Sequence, residues 1–337
     1  MDMMMMDMAM DVRIMGNEVP EPNIEETDIK PLPGKIVKVA AENTRHTQDI
    51  ETSVYYKGHL ATGANDGKIK IWTQDLELVE TIDAHPVNVY SLAVLDDTLY
   101  SCSNDGTFKA WNWGTWDAKK TILEKQQNDI IKIYVDNNIL YASNDQGELF
   151  CFENEELTAS YYLHEDIADL VIIGPLVFNA RNVDVSVTEM MGANQTFKDF
   201  PAEVRNFYGP RFNYMSRGAM IGRFPIRRVG DYVCFLDRSA RNVFVHNSTK
   251  EEKFKRVYNI KAHDMTISAM AALPGKEHIM LTGGFDRILK AWDLTTAKNI
   301  GRLDTGICIN DICGGEPGQI FISSNEGYLA RVDCTFP

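Results

Sequence analysis

A short motif recurs along this chain, and its repetition limits the possible folds more than any other feature does. Residues 65–72 (NDGKIKIW), 104–111 (NDGTFKAW) and 285–292 (FDRILKAW) each combine a turn with alternating apolar and polar residues. That alternation has the period of a β-strand. A strand of small residues precedes each copy, so each unit is predicted to form a β-hairpin around an Asp-Gly or related turn.

Weaker copies at residues 144–152, 180–187, 240–246 and 325–332 fill the intervals between the three clear ones. The seven copies end at positions 72, 111, 152, 187, 246, 292 and 332. Apart from one interval of 59 residues, their spacing is close to the roughly 40–45 residues of a four-stranded propeller blade. The sequence therefore predicts seven blades in one ring and excludes two unrelated domains.

The motif resembles that of the WD-repeat β-propellers, and the resemblance covers residues 34–337. In that family a His, a Ser or Thr, an Asp and a Trp of one repeat form a buried tetrad. Three tetrads map onto this chain: His46, Thr62, Asp66 and Trp72; His85, Ser101, Asp105 and Trp111; and His263, Thr282, Asp286 and Trp292. The residue types His, Asp and Ser also make a nucleophilic triad. Because they recur with a Trp at matched positions, we interpret them as structural networks that satisfy buried polar groups.

Residues 35–40 (KIVKVA) are predicted to supply the outer strand of the seventh blade. Only residues 333–337 follow the last repeat, which is too few for an outer strand. The predicted fold class is therefore all-β: a seven-bladed β-propeller, residues 34–337, closed by an N-terminal strand that completes the last blade. An acidic, Met-rich and flexible tail, residues 1–33, is predicted to precede it. Such closure leaves only short, protected sheet edges.

The formal net charge of −14 is unevenly distributed. Residues 1–33 contain eight acids and two bases, a net charge of −6, so residues 34–337 carry −8. The first 15 residues also hold eight of the fifteen methionines. Because methionine adapts to irregular surfaces, this tail is either a docking segment or a solvated leader. The chain shows no export signal and no apolar run long enough for a bilayer, so a cytoplasmic location is expected, with the nucleus as the alternative.

The sequence carries no motif for catalysis, for a metal or for a cofactor. Its six cysteines lack CxxC spacing and are expected to be free thiols. No phosphate-binding loop, dinucleotide fingerprint or hydrolase signature occurs. No converging polar groups are predicted in the central channel. The sequence therefore predicts a protein that is not an enzyme and that needs neither a cofactor nor a metal.

The 59-residue interval contains a basic and aromatic segment. Residues 201–228 hold six arginines against Glu203, a local excess of +5. We predict residues 195–200 as the outer strand of blade four and residues 219–225 as the start of blade five. Residues 201–217 then form an enlarged connection on the face where the inner strands begin, which most WD-repeat proteins use for partners. Arginine and aromatic side chains are typical of interaction hot spots, so this segment either docks an acidic partner or folds back onto the propeller.

Ten residues make up the predicted partner-binding set. Seven lie in the segment and three on turns of the same face: Arg205, Phe207, Tyr208, Arg211, Phe212, Tyr214 and Arg217, with Arg181, Arg241 and Phe285. Arg181 and Arg241 are expected to join the segment in one basic sector. Phe285 is included because turn chemistry does not explain it.

The predicted function is that of a non-enzymatic scaffold or adaptor, a monomeric propeller within a complex. It would bind a protein or peptide partner on the loop-rich face, and the basic segment favours an acidic one. One alternative is a substrate-recognition subunit of a ubiquitin ligase, although the family's adaptor motif expects a basic residue where Thr295 stands. Another is an RNA-associated propeller, but the acidic net charge opposes contact with nucleic acid. No membrane partner is expected.

Overall fold

The computed structural model describes residues 23–24, 30–163, 166–181, 183–191 and 214–336. Its strands form seven antiparallel sheets of four strands each, and one of these sheets gains a short fifth strand. The four main strands of a sheet follow one another in chain order from the central channel outward, except in one sheet whose outermost strand comes from the N-terminal part of the chain. Among the described residues, short 3-10 helices lie at Glu42–Thr44, in a connection, and at Asn325–Gly327, in a turn of blade seven.

Each sheet is one blade, and its strands are numbered from the channel outward. Blade one contains Ile50–Tyr56, His59–Ala64, Lys68–Thr73 and Leu78–Asp83. Blade two contains Val89–Leu95, Thr98–Ser103, Phe108–Asn112 and Ala118–Leu123. Blade three contains Ile130–Asp136, Ile139–Asn144, Glu148–Glu153 and Glu156–Tyr162. Blade four contains Asp169–Ile173, Leu176–Ala180, Asp184–Met190 and Tyr214–Ile221.

The remaining blades follow the same plan. Blade five contains Arg223–Val229, Tyr232–Leu236, Asn242–Asn247 and Arg256–Lys261. Blade six contains Ile267–Leu273, Lys276–Gly284, Ile288–Asp293 and Lys298–Asp304. Blade seven contains Asp311–Gly314, Gln319–Ser323, Leu329–Cys334 and Gly34–Val39.

The last of these strands closes the ring, as the sequence predicted. Gly34–Val39 pairs antiparallel with Leu329–Cys334, with Ile36 opposite Val332. The outer strand of blade seven therefore comes from the opposite end of the chain from its other three strands. The prediction of an all-β, seven-bladed propeller closed through its N-terminal strand is confirmed.

The hydrophobic core lies between neighbouring blades. Second and third strands are covered by blades on both sides, and Thr98–Ser103 is buried at every position. Val245 of blade five packs in one cluster with Trp292 of blade six, and Trp72 of blade one packs with Phe321 of blade seven. The same face-to-face packing of sheets thus continues across the closure between blades seven and one.

Blade four differs from its predicted boundaries. Its outer strand is Tyr214–Ile221, with Met190 opposite Tyr214 and Asp184 opposite Ile221. The prediction of residues 195–200 as this strand was wrong, and those residues lie outside the described ranges. The prediction that residues 219–225 begin blade five was also wrong, because residues 219–221 end blade four and blade five begins at Arg223. The long insertion interrupts the outer hairpin of blade four instead of following it.

The chain contacts the propeller upstream of residue 34, the predicted start of the ring. The backbone N–H of Leu32 donates to the carbonyl of Arg302 (2.7 Å), and that of Arg302 donates to Lys30 (3.0 Å). Leu32 is buried against blades six and seven. Farther upstream, Asn23–Ile24 runs parallel to the outer strand of blade five, with Asn23 opposite Asn259. The chain therefore contacts the outer edges of blades five and six before it enters blade seven.

Candidate functional site

The structure brings together all three tetrads that the sequence indicated. In each one the His Nδ1 lies 2.7–3.3 Å from the Asp carboxylate, and the His Nε2 lies 2.8–2.9 Å from the hydroxyl. The hydroxyl also accepts a hydrogen bond of 2.9–3.0 Å from the Trp Nε1. The His and Trp side chains are buried in all three blades. Each network therefore fixes the connection that carries its His to the second and third strands of its blade.

The electrostatics of the tetrads favours ionised carboxylates. Burial opposes ionisation of Asp66, but His46 and the backbone amides of Thr47 and Lys68 hold the pKa of Asp66 at about 2. In blade two, burial lowers the pKa of His85 to about 4. A neutral imidazole that donates from Nδ1 to a carboxylate accepts from the hydroxyl at Nε2. The hydroxyl therefore donates one hydrogen bond to the imidazole and accepts another from the indole, as a buried polar group requires.

A lysine that the sequence pattern had not singled out accompanies each tetrad. Lys70, Lys109 and Lys290 stand two residues before the three tetrad tryptophans. Lys70 Nζ donates to the carbonyl of Thr44 and Lys109 Nζ to that of Ala84, both at 2.7 Å. These carbonyls belong to the connections that carry His46 and His85, so Lys70 and Lys109 hold the same connections as the tetrads of blades one and two. The signal was present in the sequence, because Lys recurs in all three clear copies of the motif.

The strand directions define two faces of the ring. The upper face carries the connections that enter each inner strand, such as residues 84–88 and 262–266, and the turns between second and third strands. The lower face carries the other turns of each blade. The insertion of blade four leaves its third strand after Met190 and returns at Tyr214, so both of its ends lie at the lower face. The expected position of this segment on the upper face was therefore wrong.

The predicted partner-binding residues are consequently divided between the two faces. Arg205, Phe207, Tyr208, Arg211 and Phe212 lie outside the described residues, and their role in binding stays a prediction. Tyr214 begins the outer strand of blade four. Arg217 in that strand pairs with Glu189, which Lys250 also contacts at 2.6 Å. Arg181 and Arg241 lie on upper-face turns, whereas the two described ends of the insertion lie at the lower face, and the single basic sector expected from the sequence stays a prediction.

Arg181 also differs from Arg241 in its contacts. The Arg181 guanidinium makes a double contact with Asp184, with Nε–Oδ1 and Nη2–Oδ2 distances of 2.6 and 2.5 Å. The Arg241 side chain is exposed and forms no ion pair with another described residue. Of the two, Arg241 is the arginine whose charge is available to a partner.

Arg241 belongs to a group of exposed side chains on blades five and six, which we name the arginine–apolar sector. Its members are Arg238, Arg241, Met265, Phe285 and Arg287. Met265 and Phe285 are 52% and 46% exposed. The three arginines form no ion pair within the described part of the chain. The sector therefore offers apolar surface together with positive charge that a partner can reach.

Backbone hydrogen bonds hold the turns of this sector side by side. Phe285 N–H donates to the carbonyl of Thr266, next to Met265, at 3.0 Å. His263 N–H donates to the carbonyl of Arg241, also at 3.0 Å. The turn of blade five, the connection at residues 262–266 and the turn of blade six are therefore one continuous surface. The tetrad of blade six, which includes His263, anchors it from below.

The acids within this surface are mostly engaged. The carboxylate of Asp237 accepts hydrogen bonds from Ser239, from the backbone of Arg241 and from Asn242, all within its own turn. Asp286 is the tetrad acid and lies 2.7 Å from His263. An exposed carboxylate at Asp264 lies in the connection beside Met265. The arginine side chains thus remain the outward-facing charges of both turns.

The turn of blade six departs from the turn chemistry of blades one and two. Phe285 stands where those turns have Asn65 and Asn104, and Arg287 stands where they have glycine. Arg287 adopts φ +66°, in the left-handed region that costs a residue with a Cβ about 1–2 kcal/mol. Backbone strain of this kind occurs at functional sites, and other turns of this chain, such as those at Asp96 and Asn137, also hold non-glycine residues at positive φ. The blade thus keeps an arginine where a glycine would be more stable.

The rest of the upper face is acidic. Asp49, Asp129, Asp145 and Glu326 lie on the connections and turns of blades seven, one, two and three, and Glu51 lies at the upper end of the inner strand of blade one. Burial, together with the neighbouring Asp145 carboxylate, raises the pKa of Asp129. Burial likewise raises the pKa of Glu51, with Asp49 adding to the effect. The upper face is therefore divided into a large acidic region and the arginine–apolar sector.

Charged groups also converge in the central channel, where the sequence had predicted none. Lys132 Nζ lies 2.8 Å from Asp169 Oδ1, and Arg227 Nη1 lies 2.6 Å from Oδ2 of the same carboxylate. Although burial opposes ionisation, these two cations hold the pKa of Asp169 at about 2. On the other side Ser53 donates to Asp311 at 2.5 Å. The inner strands surround a cavity of about 420 Å³.

These channel contacts connect inner strands of different blades. Asp169 of blade four joins Lys132 of blade three to Arg227 of blade five, and Ser53 of blade one joins Asp311 of blade seven. We interpret them as contacts that stabilise the packing of neighbouring blades. Their signal in the sequence was a charged residue inside an otherwise apolar inner strand, as Lys132 is in IIKIYVD. Within the described residues no group of His, Cys, Asp or Glu is arranged to hold a metal, and no helix could span a membrane.

Comparisons with known proteins agree with this architecture. The family model for the WD domain, G-beta repeat, matches residues 76–112 and 254–293. The chain is 22% identical over 299 residues to the nuclear distribution protein PAC1 of Candida albicans, covering 84% of this chain and 57% of that protein. It is 34% identical over 83 residues to myosin heavy chain kinase C of Dictyostelium discoideum, covering 25% of this chain and 10% of that protein. The chain thus spans less than two thirds of either relative.

Among solved structures, the WD40 β-propeller domain of Doa1 superimposes with a TM-score of 0.70 at 10% sequence identity. The alignment covers 90% of this chain and 97% of that domain. Each stretch matched by the family model runs from the outer strand of one blade through the third strand of the next, and ends near a tetrad Trp. The chain therefore carries WD repeats at the two matched stretches and folds as a seven-bladed β-propeller.

Proposed function

We propose that this propeller is a non-enzymatic scaffold that binds a protein or peptide partner through the arginine–apolar sector of its upper face. The observation that carries the proposal is the exposure of Met265 and Phe285 beside three arginines that form no ion pair with any described residue. WD40 propellers are generally protein-interaction scaffolds without enzymatic activity, and the rigid ring of this chain fits that role.

The chemistry of the sector favours an acidic partner with an apolar residue among its acids. Arginine gives directional, charge-assisted hydrogen bonds to carboxylates, and aromatic and Met side chains give large apolar contacts. Both are enriched at the centres of protein interfaces. The acidic remainder of the upper face would repel the same partner, so the two regions together restrict it to blades five and six.

The strain at Arg287 supports the same conclusion. Its turn would be more stable with a glycine, as the turns of blades one and two show, where Gly67 and Gly106 have φ of +76° and +79°. An arginine that lowers stability at an exposed turn needs another reason to be there. Binding a carboxylate of the partner is the reason that its exposed side chain suggests.

Affinity purification with matched single variants tests the proposal. Full-length chains carrying Phe285→Ala or Arg241→Glu serve as baits beside the unchanged chain, and Lys125→Glu is the control on the acidic part of the same face. We expect Phe285→Ala to lower recovery of the bound partner by about thirtyfold, the effect of a hot-spot residue. Lys125→Glu should change it by less than about twofold.

Equal melting temperatures of the four baits show that the variants act on binding and not on folding. Recovery of the same partners at the same yield by all four baits contradicts the proposal. A partner lost only from the Lys125→Glu bait places the binding surface on the acidic region and contradicts it as well.

A further inference from the structure

The chain itself contains a segment with the chemistry that the arginine–apolar sector would bind. Residues 1–22, which we name the acidic methionine segment, lie outside the described residues. They contain eight methionines and five acids, Asp2, Asp7, Asp11, Glu18 and Glu21, against one base, Arg13. Single carboxylates there interrupt short runs of apolar side chains. The arginine–apolar sector presents the complementary groups, Met265 and Phe285 beside exposed arginines.

The point where this segment joins the propeller is close to the sector. Asn23 pairs with Asn259, which precedes Met265 by six residues. Six residues extend over at most about 21 Å, and paired strands are about 5 Å apart, so Asn23 lies within about 26 Å of Met265. A 22-residue chain with the statistics of a random coil has a root-mean-square length of about 26 Å. The segment therefore has the length to reach the sector from its anchor.

Attachment of this kind makes even a weak contact effective. A short linker gives a tethered segment an effective concentration on the order of millimolar at its site. A contact with a millimolar dissociation constant would then be occupied about half of the time. The acidic region of the upper face would repel the segment, so charge also directs it toward blades five and six.

We propose that the acidic methionine segment docks in cis on the arginine–apolar sector and competes there with the partner. The competition part of this inference rests on the proposed function, because the segment must leave the sector before a partner can bind there. It extends that function by giving the binding surface an internal competitor. A partner with more acidic residues, or with a larger apolar anchor, would displace the segment.

Photo-crosslinking in the full chain tests the contact directly. A photoreactive benzoylphenylalanine replaces Phe285 in one protein and Val87 in a control protein. Val87 is 38% exposed and lies on the same face next to the acidic region. We expect position 285 to crosslink to peptides from residues 1–22 of the same molecule at about ten times the yield of position 87, the difference expected from a specific contact of about 1.4 kcal/mol.

A second variant tests the role of charge. Replacing the five acids by their amides (Asp2→Asn, Asp7→Asn, Asp11→Asn, Glu18→Gln, Glu21→Gln) leaves the propeller unchanged and should lower the crosslink yield from position 285 about fivefold. Raising the salt concentration from about 0.05 to 0.5 M should also lower the crosslink yield from position 285. The same amide variant used as a bait should recover more of the partner than the unchanged chain does.

The outcomes separate this inference from the proposed function. No crosslink from position 285 to residues 1–22, equal yields from positions 285 and 87, or crosslinks only between different molecules would each overturn the docking in cis. If partners still depend on Phe285 in that case, the proposed function stands alone. A strong crosslink together with partner recovery that ignores Arg241→Glu would support the docking and contradict the proposed function.

Discussion

Blades two and six bury the same tetrad beneath two different turns. The network of His85, Ser101, Asp105 and Trp111 in blade two matches that of blade six within a few tenths of an ångström in most contacts. Above it, blade two has Asn104 and Gly106, whereas blade six has Phe285 and Arg287.

The difference shows that the buried network and the exposed turn serve separate purposes. The network fixes the turn in space, and it does so equally well for a turn of favourable residues and for a strained one. An exposed Phe and an Arg at positive φ contribute little to folding, which agrees with the proposed contact of this turn with a partner. Four kinds of change test this separation. They alter the tetrad tryptophan, the protonation of the buried histidines, the tetrad hydroxyl or the residues of the exposed turn.

The largest expected effect comes from removing the tetrad tryptophan of either blade. Trp292→Ala and Trp111→Ala each leave a cavity and remove the hydrogen bond that the tetrad hydroxyl accepts from the indole, and we expect each to lower the free energy of unfolding by about 3–5 kcal/mol. Urea denaturation followed by circular dichroism measures it. Trp116→Ala, at a half-buried position on the lower face, is the control and should cost far less. A large loss in one blade only would contradict the equivalence of the two networks.

Lowering the pH should destabilise blades two and five through their buried histidines. Burial lowers the pKa of both His85 and His246 to about 4, below the value near 6.5 of an unfolded chain. The unfolded state then binds more protons between pH 6.5 and 4, so stability is complete above pH 6.5 and falls as the pH decreases toward 4. Each histidine contributes a loss on the order of 3 kcal/mol.

Unfolding free energies measured at several pH values between 7 and 4 check this expectation. His246 is the cleaner of the two, because its Nδ1 donates to the carbonyl of Phe254 at 2.8 Å and its ring stacks on Phe235. His246→Phe removes the titrating group and should reduce the pH dependence by about half. An unchanged slope in this variant would show that other groups control the acid sensitivity.

Removing only the tetrad hydroxyl should have an intermediate effect. Thr282→Val keeps the shape but leaves the Trp292 N–H and the His263 ring nitrogen without their shared partner. We expect a loss of about 1–3 kcal/mol in the free energy of unfolding. Ser143→Ala in blade three is the matched control, because that buried hydroxyl has no hydrogen-bond partner in the described part of the chain. Equal losses in both variants would contradict the role assigned to the tetrad hydroxyl.

The smallest expected effect is a gain in stability at the turn of blade six. Arg287→Gly relieves the positive φ and should raise the free energy of unfolding by about 1 kcal/mol, while it weakens binding of the partner. Gly106→Ala in blade two is the reverse exchange, and should destabilise because its Cβ would meet the carbonyl of Gln126 at 2.5 Å. Differential scanning calorimetry measures both. A stability loss from Arg287→Gly would remove the argument from strain.

Much of the fold could be predicted from the sequence, because the motif is local. A turn, an alternating strand and a tetrad residue lie within about ten positions of one another, and their recurrence gives the period and the number of blades. The closing strand could be predicted because blade seven lacked an outer strand and residues 35–40 had the alternation to supply one. The tetrad residues were located through the resemblance of this repeated motif to that of the WD-repeat propellers.

The candidate surface could be predicted only in part. Phe285 and Arg241 were identified as exposed turn residues, but Met265 and Arg287 gave no signal as members of the same group. The basic segment around Arg205 was assigned to the upper face because the sequence spacing does not show whether an insertion precedes or follows an outer strand. The two possibilities place the insertion on opposite faces, and the pairing of Met190 with Tyr214 decides between them.

The sequence by itself determined the repeat, the seven blades, the three tetrads and the closure, since each depends on residues close together or on a strand that must be supplied. Only the tertiary structure decided which face each connection occupies, which charges meet in the channel and which side chains form the arginine–apolar sector. Those features join residues from different blades, such as Lys132 with Arg227 around Asp169. Their meeting depends on strand direction and on the curvature of the ring, which no local pattern in the chain encodes.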